Sequence, residues 1–127
     1  MKNFNNKNVF YLEKQDVTPG GKIKKVVTKG KPTIVMVTAD YCHYCTKAKP
    51  SFARLSEQTR GKFNCATIVM DGKQSEQALK PYLTQWDPNF RGIPTYFIFK
   101  ETGSIDKVYS GARDTKSLKE AMKEAMK

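Results

Sequence analysis

The chain has 127 residues, 39% of them hydrophobic and 11% aromatic, which suits one compact domain held by an ordinary core without disulfide staples. No apolar run approaches the roughly 18 residues that a membrane-spanning helix needs, which argues against a membrane protein. Lysine and arginine total 23 against 12 aspartate and glutamate, so a net charge of +11 will draw polyanions or acidic proteins to the surface without bearing on the fold.

Residues 1–8 are rich in Asn and Lys, and no apolar stretch of signal-peptide length follows them. A flexible leader on a single domain spanning 1–127 is expected, in a cytoplasmic protein. Residues 9–12 form a short apolar run suited to a first strand, and Pro19-Gly20-Gly21 then breaks the chain. Residues 23–28 fit either a short helix or an edge strand. Residues 33–38, Thr-Ile-Val-Met-Val-Thr, are β-branched and almost continuously apolar, the pattern of a central strand covered on both faces.

From Cys42 the period becomes helical. Ala48, Phe52 and Leu55 fall at i, i+4 and i+7 and predict one buried stripe on a helix that runs to about Gln58. Pro50 lies inside it, where it lacks a donor and presses on the preceding turn, so a kink is expected. Residues 65–70 make a second apolar strand, and strand, helix, strand implies a parallel pair. Residues 74–83 suggest a short helix interrupted by Pro81. Residues 95–100 and 105–109 flank Glu101-Thr102-Gly103-Ser104 and predict an antiparallel hairpin with glycine in its turn. Asp114 is placed to cap a last helix whose apolar stripe is Leu118, Ala121, Met122 and Ala125. The sum is an α/β fold: a mixed sheet of four or five strands flanked by helices, with a site at the carboxyl end of a central parallel strand.

That end carries Ala39-Asp40-Tyr41-Cys42-His43-Tyr44-Cys45. Three cysteines cannot make a paired framework, and two of them sit three positions apart where a strand gives way to a helix. One helical turn brings both sulfurs within bonding reach, and the first lies beside the unpaired amides of the helix start. Those amides and the helix dipole favour a thiolate at Cys42, below the ~8.5 of a free thiol. Cys42 is therefore the expected nucleophile, and Cys45, one turn in and less exposed, the resolving thiol. His43 either tunes the thiolate or is an exposed spacer, and Tyr44 shares its position between the sulfurs. Asp40 is expected to cap the helix or face water. Cys65 is read as a small buried hydrophobe. No metal site is expected, since His43 points off the face the cysteines share and no second Cys-x-x-Cys exists.

With Arg91-Gly92-Ile93-Pro94-Thr95 added, the chain resembles the thioredoxin superfamily, including its protein disulfide isomerase-like domains, from about residue 35 to 126. The resemblance implies a cis peptide before Pro94, packing of that proline against the dithiol, and pairing of the Ile93 backbone with an extended substrate; Ile93, Pro94 and Thr95 match the motif. Pro50, Gly103 and Gly111 match the family's helix kink, turn and post-strand positions. The departures are specific. Tyr41 stands where thioredoxins carry Trp, and His43-Tyr44 where they carry Gly-Pro. Met36 replaces a buried Asp that takes the resolving thiol's proton, and Thr67 stands where the lysine partner of that Asp belongs, so rapid thioredoxin-like reduction is not expected.

The implied activity is thiol-disulfide oxidoreduction on protein disulfides or dithiols, without a cofactor beyond the Cys42–Cys45 disulfide, by a monomer recharged by an unidentified reductase or oxidase. Direction is open between reductase, oxidase and isomerase, and spacers other than Gly-Pro suggest a couple less reducing than the ~−270 mV of thioredoxin. The rival readings are a basic binding module for an acidic protein or, more weakly, nucleic acid, and a disulfide isomerase or chaperone module. Tyr82, Trp86 and Phe90 either line a substrate groove or anchor the core and loop.

Overall fold

The computed structural model describes Phe4 and residues 8–127. Five strands form one mixed sheet in the order β1-β3-β2-β4-β5: β1 (Val9–Tyr11), β2 (Thr33–Thr38), β3 (Asn64–Val69), β4 (Thr95–Phe99) and β5 (Ile105–Tyr109). β1 and β2 each pair parallel with β3, while β4 pairs antiparallel with β2 and with β5. The helices are α1 (Lys25–Thr28), α2 (His43–Gln58), α3 (Gln74–Gln77), α4 (Lys80–Trp86) and α5 (Thr115–Ala125). Among the described residues no helix is long and apolar enough to cross a membrane.

Every residue of β2 is buried, as its unbroken apolar sequence requires of a strand with both faces covered. Its alternate side chains enter two cores. Ile34 and Met36 join Phe52 and Leu55 of α2 and Leu118 and Met122 of α5. Val35 and Val37 join Leu79, Leu83 and Trp86 on the other face. Period-2 alternation in the strand and the stripe Ala48, Phe52, Leu55 in the helix thus meet at one seam. Each Leu or Phe buried there stabilises the fold by about 1.5–3 kcal/mol relative to leaving it in water.

Four sequence expectations are refined. Residues 23–28 satisfy both readings in turn: Ile23 bridges to Val17, and α1 follows, ended by Lys29 in the left-handed region at φ 51°. The segment 74–83 is two helices rather than one interrupted helix. Pro81 lies in the first turn of α4, where its missing donor costs nothing. Of the leader, residues 1–3 and 5–7 lie outside the described residues. Phe4 itself is buried, with its ring centroid 5.6 Å from Phe52 and its N–H donated to the Tyr11 hydroxyl at 2.8 Å. Trp86 is a core anchor: its indole N–H reaches the Gly21 carbonyl at 2.8 Å, and its ring meets Phe97 and Phe99 edge-on. Tyr82 stacks on it, and Phe90 packs against the same core.

Candidate active site

β2 ends at Thr38, and after four intervening residues the chain enters α2 at His43, so the helix start sits at the carboxyl edge of the central strand. Cys42 is the N-cap of α2, and it caps with sulfur: the Cys45 N–H donates to Cys42 Sγ at 3.1 Å. The two cysteines are joined as a disulfide. Thr46 tightens the same turn, its N–H and hydroxyl both donating to the Cys42 carbonyl. Asp40, expected to cap the helix or face water, is exposed and does not cap. Its N–H is instead held by both carboxylate oxygens of Asp71, at 3.0 and 3.1 Å.

Exposure separates the two sulfurs less than the sequence implied. Cys45 is fully buried, and Cys42 is itself only 8% exposed. What stands out to solvent is the surround: Tyr41 is 73% and Tyr44 65% exposed, and His43 is exposed with its ring edge-on to Tyr44. The open approach to Cys42 is therefore framed by aromatic side chains.

The second motif lies directly opposite. The Ile93–Pro94 peptide is cis, Pro94 is buried, and the Ile93 carbonyl oxygen sits 3.7 Å from Cys42 Sγ. The Thr95 hydroxyl donates to the Gly92 carbonyl at 2.5 Å and closes the loop on itself. Residues about fifty positions apart in the chain are thus brought together because β4 pairs with β2 and begins where β2 ends, with Thr95 opposite Val37.

Beneath the dithiol the surroundings are apolar. Met36 is fully buried in the cluster that holds Cys45. Its register partner Thr67 donates its hydroxyl to the Met36 carbonyl at 2.8 Å, so a neutral hydrogen bond occupies the pair of positions discussed above. A charge does occur one turn further along α2. Lys49 is 1% exposed, its ammonium lies 5.9 Å from the centre of the Phe4 ring, and burial lowers its pKa against the opposing pull of Asp40 and Asp71. Lys49 and Asp71 were not legible as site neighbours. The only available signal was that Asp40 and Asp71 follow two parallel strands, β2 and β3, that end side by side.

Cys65 stands apart near the opposite end of the sheet. It is 3% exposed, and burial pushes its thiol up to about 12, with a hydrogen bond to Thr59 pulling the other way. Among the described residues no group of three His, Cys, Asp or Glu side chains could hold a metal ion.

Comparison with known proteins gives a match to the Thioredoxin family over residues 17–124. The thioredoxin-like protein 453L of Invertebrate iridescent virus 6 is 29% identical over 105 residues, covering 73% of this chain and 76% of that protein. The chloroplastic thioredoxin-like protein HCF164 of Arabidopsis thaliana is 28% identical over 67 residues, which is 53% of this chain and 26% of the plant protein. Among solved structures, spinach chloroplast thioredoxin f superposes with a TM-score of 0.65 at 22% identity over 94% of this chain and 95% of that one. The J-Trx1 fragment of ERdj5 gives 0.67 at 18% identity over 94% of this chain and 53% of the fragment. These structural likenesses establish the architecture of the sheet and helices.

Proposed function

The chain belongs to the thioredoxin family, and from that premise we propose that it exchanges disulfides with protein substrates through Cys42 and Cys45. In the reducing direction the Cys42 thiolate attacks one sulfur of a substrate disulfide. That S–S bond breaks, the departing sulfur leaves as a thiolate and takes a proton from solvent, and a mixed disulfide joins Cys42 to the substrate. The Cys45 thiolate then attacks Cys42 Sγ and releases the second substrate thiol. Two electrons have passed to the substrate, and Cys42–Cys45 is oxidised. Oxidation of a dithiol is the same sequence reversed.

The observation that carries this reading is the position of Cys42 Sγ, which accepts an N–H of its own helix at 3.1 Å and faces the Ile93 carbonyl at 3.7 Å. The first contact stabilises a thiolate, because a backbone donor at a helix start lowers the cost of negative charge. The second sets a backbone acceptor beside the reacting atom, where an extended substrate could add its own N–H. Tyr41, His43 and Tyr44 form the exposed frame against which that substrate would rest. Without an acid at Met36, deprotonation of Cys45 falls to solvent or to the leaving thiolate. Resolution of the mixed disulfide is then the slow step.

The test is disulfide reduction of insulin by the reduced protein, with the reduction potential measured against glutathione. Cys42→Ser should abolish turnover, and Cys45→Ser should trap a mixed disulfide on Cys42. A couple equilibrating near ~−270 mV would remove the expectation of a less reducing pair. The alternative of a basic binding module rests on the net charge of +11. It predicts partner binding that weakens with salt and survives Cys42→Ser.

A further inference from the structure

Beside the cis-proline loop lies a cavity of about 290 Å³ between residues 87–96 and the end of β5 with the chain beyond it. Its walls carry two guanidinium groups, Arg91 from the loop and Arg113 from the segment leading to α5. Both are exposed, and neither has a carboxylate within ion-pair distance among the described residues, where Lys127–Glu124 is the recorded pair. The one acid in the lining, Asp87, has its Oδ1 engaged by the Asn89 N–H at 2.9 Å. Tyr96 also belongs to the lining. Its hydroxyl is buried without a hydrogen-bond partner among the described residues, and the positive charge of Arg113 reaches it.

The cavity shares a wall with the loop that faces the reacting centre. Pro94 is in its wall, and the Ile93 carbonyl, one residue earlier, faces Cys42 Sγ at 3.7 Å. A strand of substrate lying along that carbonyl advances about 3.3 Å per residue, so a side chain two or three positions from the reacting sulfur comes within reach of the cavity. Two unpaired guanidiniums facing a side-chain-sized space suit a carboxylate, which an arginine fork can take through two parallel N–H donors.

We propose that Arg91 and Arg113 select substrates by receiving an acidic side chain two residues from the cysteine under attack. The proposal rests on the disulfide-exchange reading of Cys42 and Cys45. It makes the cavity a specificity pocket, and it separates recognition at one point from the diffuse attraction of a basic surface.

The experiment uses four extended peptides, each with a single cysteine held as a mixed disulfide with thionitrobenzoate. One pair carries glutamate or glutamine two residues before the cysteine, and the other carries the same choice two residues after it. Cys42 attacks the peptide sulfur, the peptide–thionitrobenzoate bond breaks, and thionitrobenzoate leaves as the coloured thiolate. The expected result is that glutamate outpaces glutamine by about fivefold at one of the two positions. That ratio should collapse toward one in Arg91→Gln/Arg113→Gln and persist in Lys119→Gln/Lys123→Gln, which removes equal charge from α5. Equal rates for glutamate and glutamine at both positions would overturn the proposal. So would an equal preference at both positions, a ratio that survives loss of the arginines, or one that falls as far when the lysines are removed. The wild-type position dependence is a test that needs no variant to fold. Failure of all four peptides to release thionitrobenzoate would instead remove the exchange reading on which the pocket depends.

Discussion

The three cysteine sulfurs of this chain meet three environments, and their chemistry follows from what surrounds each. Cys42 lies at a helix start with an N–H aimed at it, Cys45 is closed inside the first turn, and Cys65 is sealed near the far end of the sheet. A thiol held up to about 12 by burial carries almost no thiolate near neutrality, and the thiolate is the reactive species. Ellman's reagent at pH 8 should therefore titrate two thiols in the reduced, folded protein and a third only after denaturation. A count of three from folded protein would contradict this assignment. The exposed aromatics are the counterpart at the surface: Tyr41 and Tyr44 leave large apolar area in water beside the covered sulfur of Cys42, and they are the kind of residue that contributes most to a binding surface.

At the scale of elements, the ends of helices carry much of the information. Asp114 caps α5, accepting the Ser117 N–H at 3.0 Å and the Ser117 hydroxyl at 2.7 Å, and these bonds hold its carboxyl below the usual value of 3.8. A carboxyl whose pKa falls on folding contributes stability that is complete above its unfolded value and is lost as pH drops through the folded one. Asp114→Ala should accordingly lower the melting temperature at pH 7, and the gap to wild type should close as pH falls below 3.8. Elements with a strong period or a specific terminator were readable in advance: β2 from its β-branched run, α2 from its stripe, α5 from its cap. What could not be read was decided by contacts between distant segments. The division of 74–83 into α3 and α4 turned on where Pro81 fell in a helix turn. The hold on Asp40 came from Asp71 at the end of a neighbouring strand. The pairing of Arg91 with Arg113 across one cavity required the register of β4 on β5. The dithiol and the proline loop were both visible as motifs, while the burial of Cys42 was not, because a helix start alone does not say how closely another loop will cover it.

For the whole molecule, one junction ties the last hairpin of the sheet to the connection between β1 and β2. The hairpin between β4 and β5 turns at Gly103, whose φ is 92° and whose carbonyl accepts the Ile23 N–H at 2.9 Å. A Cβ there would fall on the Ile23 carbonyl oxygen, so an alanine meets both an unfavourable backbone region and an occupied space. Gly103→Ala is expected to cost about 2 kcal/mol or more, measured by urea denaturation, and to loosen the 17–24 segment in hydrogen exchange. A second consequence concerns Trp86, the chain's single tryptophan, which is packed in the core on the face of the sheet away from the disulfide-bearing cluster. Its emission should shift to the red when the protein unfolds and hold nearly steady when dithiothreitol opens the Cys42–Cys45 bond. Intrinsic fluorescence would then serve as a folding gauge blind to oxidation state, and comparing denaturation of the two forms would close a thermodynamic cycle giving how strongly the bond and the fold support one another.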